Sequence, residues 1–185
     1  ESGPARRFVL TVGQYAPYKN HEGALDGFAR AFGASDDIAL VFVQRQARGG
    51  DGLRRMAARL GIADRAIFLR AVAPADLLQL YSAAEVLLHP SLAEGFGNPV
   101  AEAMACGCPV ITSDRSAMPE VAGGAALLVD PLESAGIAAA LGRVVGNNAT
   151  RRTLSEAGLA RARSLDWESA ARRYVGLYRE ILATA

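Results

Sequence analysis

The sequence predicts an α/β fold: a doubly wound parallel sheet of about six strands, in one domain spanning residues 1–185. Three observations predict it. Short apolar runs alternate with longer stretches of helical periodicity five or six times over. The runs are continuously apolar, as in strands covered on both faces. A chain of 185 residues, 51% of them hydrophobic, suffices for one core without disulfides or metals.

The elements follow in order. Residues 8–12 read as a buried strand ended by Gly13. Ala24, Leu25, Phe28, Ala31 and Phe32 form a helical stripe over 21–32. A second strand covers 38–43 and a helix 53–60, closed by Gly61. Residues 66–69 are a third strand, and 74–84 a helix with Pro74 in its first turn. Residues 86–88 are a fourth strand stopped by Pro90, and 99–106 a short helix ended by Gly107. Strands at 109–112 and 126–129 complete the sheet, and helices at 132–145, 149–163 and 167–182 close the domain. Residues 47–52 are the loosest stretch, of ordinary loop length.

Composition narrows the function. With 20 Lys+Arg against 19 Asp+Glu, the chain lacks the basic excess of a charge-driven nucleic-acid binder. No apolar run approaches the roughly 20 residues of a membrane span, and residues 1–4 have no signal-peptide character. Cys106 and Cys108 are too close for an unstrained disulfide. With only His21 and His89 to help, they are too few for a metal site. They read as two thiols of a reducing compartment, the cytoplasm.

Ligands of such sheets bind at the carboxyl ends of the strands, which directs attention to loops 13–20, 70–73 and 91–98. In the last, a Gly-x-Gly segment runs into a helix, with Asn98 as the expected cap and Pro99 at the first position. The N–H groups of Gly95, Phe96, Gly97 and Asn98 are then free to face an anion such as phosphate. Glu94 and Glu102, the latter expected in the first turn, bracket this loop. Carboxylates accept hydrogen bonds from hydroxyls, so one suits a ribose diol and the other a sugar. The alternative is that Glu102 only complements the helix dipole and Glu94 is a solvated loop charge.

In the first loop, Lys19 is a candidate point charge for phosphate or an ordinary solvated lysine. The loop has neither a P-loop ending nor a Gly-x-Gly-x-x-Gly fingerprint. His89 reads as a packed strand-end residue, with contact to the donor as the alternative, His21 as an exposed helix-start residue and Ser91 as a loop cap. Trp167, Tyr174 and Tyr178, at helical spacing, read as core.

The segment 94–102, Glu-Gly-Phe-Gly-Asn-Pro-Val-Ala-Glu, continues as Ala-Met-Ala-Cys-Gly-Cys-Pro-Val. It resembles the signature of retaining glycosyltransferases of the GT-B fold, most closely glycosyltransferase family 4 (glycosyl transferases group 1). Val12-Gly13, Lys19-Asn20, Val72 and Tyr81 fit the same pattern, and the similarity runs from about residue 7 to 182. The resemblance implies a Rossmann-like, C-terminal, donor-binding half of a two-domain enzyme. That enzyme would move a hexose of mannose or glucose type from a nucleoside diphosphate sugar to a hydroxyl acceptor in glycan or polysaccharide biosynthesis.

The resemblance also implies roles. Glu102 holds the ribose and Glu94 the sugar hydroxyls. The amides of Gly95, Phe96, Gly97 and Asn98 hold the sugar or its diphosphate. Gly13, Gln14 and Lys19 lie at the diphosphate, where Lys19 neutralises the leaving group. The loop with Val72 meets the base. No metal and no cofactor is implied beyond the donor substrate. The Val-Gly…Lys-Asn form of the first loop resembles bacterial polysaccharide mannosyltransferases, favouring GDP-mannose over a UDP-sugar.

The chain departs from the family where Gln14 replaces an Arg, Gln44 a strand-end glycine and Arg70 a glycine of the base loop. Arg45, Arg48 or Arg70 are candidates to supply the missing charge. The acceptor-binding N-terminal half is not among these residues. The chain therefore reads as an excised domain or half of a split enzyme, binding donor without transferring it efficiently alone. Contact with the cytoplasmic membrane face falls to the absent half. In the same reading the apolar residues of helix 167–182 face solvent as a self-association surface. A non-catalytic nucleotide-sugar-binding module is the alternative. A two-carboxylate glycosidase or a redox enzyme fits the motifs less well.

Overall fold

A computed structural model of the protein describes residues 7–33, 37–44 and 50–184. Six parallel strands form one sheet in the order β3-β2-β1-β4-β5-β6. The strands are β1 (Arg7–Val12), β2 (Ile38–Gln44), β3 (Ala66–Arg70), β4 (Val86–His89), β5 (Val110–Ser113) and β6 (Leu127–Val129). The helices are α1 (His21–Phe32), α2 (Gly50–Arg59), α3 (Pro74–Ala83), α4 (Asn98–Ala105), α5 (Met118–Ala122), α6 (Ser134–Val145), α7 (Asn148–Ala162) and α8 (Trp167–Thr184).

The strand pattern produces two cores. Side chains alternate across a strand, so Val9, Leu40 and Phe42 face one layer and Leu10, Val41 and Val43 the other. The first layer packs on α1, α2 and α6, with Leu25, Phe28, Leu53, Ile137 and Leu141 at or near zero exposure. The second packs on Tyr81, Val100, Met104, Met118 and Val121 from α3, α4 and α5. Each fully buried aliphatic side chain contributes roughly 1.5–3 kcal/mol, which is why both faces are covered.

Strand order reverses between β1 and β4, whose carboxyl ends lie side by side. That is the switch point where such sheets open a crevice. The loops after β1 and β4 meet there, Leu92 N–H donating to the Tyr18 carbonyl at 2.7 Å. Asn20 caps α1 through the Gly23 amide. Its Nδ2 donates to the carbonyls of Pro90 (3.1 Å) and Pro131 (2.7 Å), so one side chain ties together the loops after β1, β4 and β6.

Several expectations need correction. The helix expected at 53–60 begins at Gly50, and the short helix α5 was not anticipated. The rest of the 47–52 stretch lies outside the described residues, as do Arg45 and Arg48. His21 is not exposed but 1% accessible, packed edge-on against Phe42 at 5.5 Å. Trp167, Tyr174 and Tyr178 are not core. They are 91%, 62% and 60% exposed, and no residue of α8 is buried. A 3.6-residue apolar period marks a face suited to burial without saying what covers it. Among the described residues no helix is long and apolar enough to cross a membrane.

Candidate functional site

The site is built from the loops after β1, β4 and β5 and the start of α4. Residues 91–97 leave β4 without regular structure, and α4 begins at Asn98. The cap is Gly97, not Asn98. Its backbone sits at φ 88°, and no side chain caps the helix. Asn favours a cap by its side-chain oxygen, but here the left-handed turn required just before the helix selects glycine. Among the described residues no hydrogen bond uses the amides of Gly95, Phe96 or Gly97. The uncommitted donors expected of this loop are therefore present. Gly95, Phe96 and Asn98 are exposed, and Gly97 is buried against Met118.

Glu94 is not a solvated charge. Its Oε1 takes three side-chain hydrogen bonds: from Lys19 Nζ at 2.5 Å, from His89 Nε2 at 2.9 Å and from Ser91 Oγ at 2.9 Å. The Glu94 side chain is 9% exposed and that of Lys19 11%. Burial opposes ionisation, but the bonds from His89, Lys19 and Ser91 outweigh it and hold the carboxyl down at about 2. An ionised carboxylate only accepts, so His89 carries its proton on Nε2. The backbone of Glu94 is held as well. Ser116 Oγ donates to its carbonyl at 2.7 Å and accepts from its N–H at 3.1 Å.

Glu102 lies one turn inside α4 rather than in its first turn, so it does not serve the helix end. Its exposed carboxylate accepts from the hydroxyl of fully buried Tyr81 at 2.8 Å. Tyr81 is packed in the second core, and burial first and the charge of Glu102 second push its hydroxyl's pKa far up, so it stays protonated and donates.

Gly13 donates its N–H to the Val43 carbonyl at 3.0 Å and lies along the Lys19 side chain. Gln14 beside it is exposed. Gln44 is buried, its Nε2 3.5 Å from His21 Nδ1. Arg70 is exposed at the end of β3, Val72 is half-buried in the loop beyond, and the left-handed residue of that loop is Ala71, at φ 50°.

Two neighbours of Glu94 are new in the structure: the contact of His89 with the Glu94 carboxylate and that of Ser116 with its peptide. The strand-end position of His89 identifies it as buried, yet its bond to Glu94 depends on the path of the loop. Ser116 lies 22 residues from Glu94 and had no signal. Ser91, read as a loop cap, is a donor to Glu94 instead.

The amino ends of the strands carry a different feature. A depression of about 340 Å³ there is lined by Glu85, Gly107, Pro109, Arg151, Arg152 and Ser155 among others. Its central charges are spent on one another, Glu85 binding Arg7 at 2.8 Å and Arg151 at 3.0 Å. Among the described residues no group of three or more His, Cys, Asp or Glu is arranged to hold a metal ion.

Comparison with known proteins identifies the family and the fold. The chain is 30% identical to the O-antigen chain mannosyltransferase B of Escherichia coli, across 93% of this chain and 45% of that protein. It superposes on sucrose-phosphate synthase from Thermosynechococcus elongatus with a TM-score of 0.83 and 30% identity, covering 98% of this chain and 47% of the other. The C-terminal domain of a glycosyl transferase group 1 protein from Francisella tularensis shares the fold. There the TM-score is 0.76 at 23% identity, with 87% of this chain and 86% of that one covered. The chain thus spans about half the length of the full-length relatives it matches. Residues 2–161 match the family described as glycosyl transferases group 1, and the chain belongs to that family.

Proposed function

We propose that this chain is the nucleotide-sugar donor-binding domain of a retaining glycosyltransferase, the C-terminal half of a GT-B enzyme. The reaction moves a hexose from a nucleoside diphosphate sugar to a hydroxyl acceptor. The observation that carries the reading is the pair Glu94 and Glu102 on either side of a loop with uncommitted amides. Glu102, propped by Tyr81, presents its carboxylate to a ribose diol. The Gly95–Asn98 amides and the start of α4 meet the diphosphate. Glu94 meets the sugar hydroxyls, and Lys19, held beside it, meets the charge that grows on the departing diphosphate. Gly13 permits close approach of the donor to the backbone, and Val72 lies in the loop assigned to the base. No metal or other cofactor is assigned.

The name of the E. coli relative supports a mannosyl donor, so GDP-mannose precedes UDP-sugars as the assignment. Two free thiols, Cys106 and Cys108, support a reducing compartment, and the cytoplasm is the assigned location. The partner is the acceptor-binding half of the same enzyme. A second reading, donor binding without transfer, is favoured by the neutral Gln14 at the diphosphate loop.

Two substitutions test the assignment. Glu102→Ala should weaken binding of the nucleoside diphosphate itself. Glu94→Ala should leave the nucleotide bound and remove the extra affinity that the sugar brings. Equal binding of the nucleotide sugar by both variants and the parent would overturn it.

A further inference from the structure

We propose that His89 and Ser116 are positioning residues for Glu94, His89 fixing the carboxylate through its Nε2–H and Ser116 fixing the peptide through its hydroxyl. The inference rests on the reading of Glu94 as the sugar-facing carboxylate, and goes beyond it by naming what sets its geometry.

Glu94 sits in an irregular loop beside Gly95. A glutamate there has many rotamers, and no helix or strand fixes the backbone that carries it. Two rigid points remove that freedom. His89 is the last residue of β4, 2% exposed, and its own carbonyl accepts from Thr112 Oγ1 at 2.9 Å on β5. Its ring therefore reaches Glu94 from the sheet itself. Nε2 lies 2.9 Å from Oε1 and 3.2 Å from Ser91 Oγ. All three side-chain donors converge on Oε1, and none of these bonds engages Oε2, which is left to accept from a ligand hydroxyl.

Ser116 comes from the loop after β5. It is one of three non-glycine residues at positive φ among the described residues, at 57°. Such a conformation persists where surrounding contacts over-determine it. Here one hydroxyl both donates to and accepts from the Glu94 peptide. The loop is held in turn by Arg115, paired with Asp130 at 2.8 Å, and by the buried Met118. The charged and titratable groups packed around Glu94 are Lys19 and His89, with His21 behind them.

The test uses the 185-residue chain. ¹⁵N NMR of the His89 ring at neutral pH reads which nitrogen carries the proton. The expected answer is Nε2–H, shifted by Glu94→Gln, and an Nδ1–H ring would overturn the role of His89. The second readout is the ratio of affinities for GDP and GDP-mannose, with UDP and UDP-glucose in parallel. His89→Gln keeps an N–H near the Nε2 position, and His89→Asn keeps one only near Nδ1. The gain from the sugar should fall by about fivefold in His89→Asn, the value of one hydrogen bond, and be rescued in His89→Gln. Equal effects of the two overturn the proposal.

Ser116→Gly removes the hydroxyl while relieving the strained φ. A chain at least as stable as the parent that loses the sugar-dependent gain supports positioning, and one that keeps the gain overturns it. If the parent binds none of these nucleotides, the donor-site reading fails. The ring NMR then still decides whether His89 holds Glu94.

Discussion

Replacing Gly97 by alanine tests the link between the fold and the loop that serves the site. Gly97 stands at φ 88°, a left-handed conformation that costs an L-residue roughly 1–2 kcal/mol. An added Cβ would also lie within 3.0 Å of Met118 Sδ and closer still to its Cε. Met118, the first residue of α5, has no exposed surface and lies in the second core, so it cannot swing into solvent. Overpacking of this kind costs about 1–3 kcal/mol. The two contributions together predict a loss of roughly 2–5 kcal/mol, a large fraction of a domain's stability. Urea denaturation would show it as a lower midpoint at unchanged slope. Met118→Val trims the opposing atoms, and the double variant should lose less than the sum of the single ones. A Gly97→Ala chain within about 0.5 kcal/mol of the parent, the range of an ordinary surface change, would refute both the left-handed cap and the packing of Met118 beneath it.

Three further outcomes follow from particular residues. Burial, its largest influence, pushes the His21 pKa down to about 4. The unfolded chain therefore takes up the proton first as pH falls. Stability should be full above about pH 6.5 and decline by up to about 3 kcal/mol by pH 4, and His21→Leu should flatten that window in denaturation midpoints measured across it. Ala71→Gly relieves φ 50° at the exposed start of the 70–73 loop and should raise stability by roughly 0.5–1 kcal/mol, read as a higher thermal midpoint. Tyr81→Phe removes the bond that props Glu102 at 2.8 Å and should weaken nucleoside diphosphate binding by about threefold to tenfold in calorimetry.

The sheet was readable from sequence because its strands are continuous apolar runs that only two-sided burial explains. Val9 and Leu10 serve different cores, yet both had to be apolar. Glu94, Gly95, Gly97 and Glu102 were readable because they fall within nine contiguous residues. What could not be read depends on distant contacts. Ser116 reaches Glu94 across 22 residues, and Asn20 reaches Pro131 across 111. No local pattern encodes either. His21 was placed at the surface because a helix start with a titratable side chain is usually solvated; the aromatic pocket of Phe42 and Tyr15 that buries it forms only when β2 pairs with β1. Trp167, Tyr174 and Tyr178 read as core because periodicity reports a face and not its partner, whereas the solvent-facing apolar side of 167–182 that the family resemblance implies is what the structure shows. The cap of α4 fell on Gly97 because backbone geometry, not the side chain of Asn98, decides it.

The most direct test of the donor site is a calorimetric titration of the 185-residue chain with GDP, UDP and ADP in parallel, repeated on Glu102→Ala. The site predicts binding with preference for one nucleotide, GDP by the present assignment. It also predicts at least about a tenfold loss in the variant, the worth of a hydrogen bond to a charged group. Binding of none of the three, or binding unchanged by removal of the Glu102 carboxylate, would contradict it.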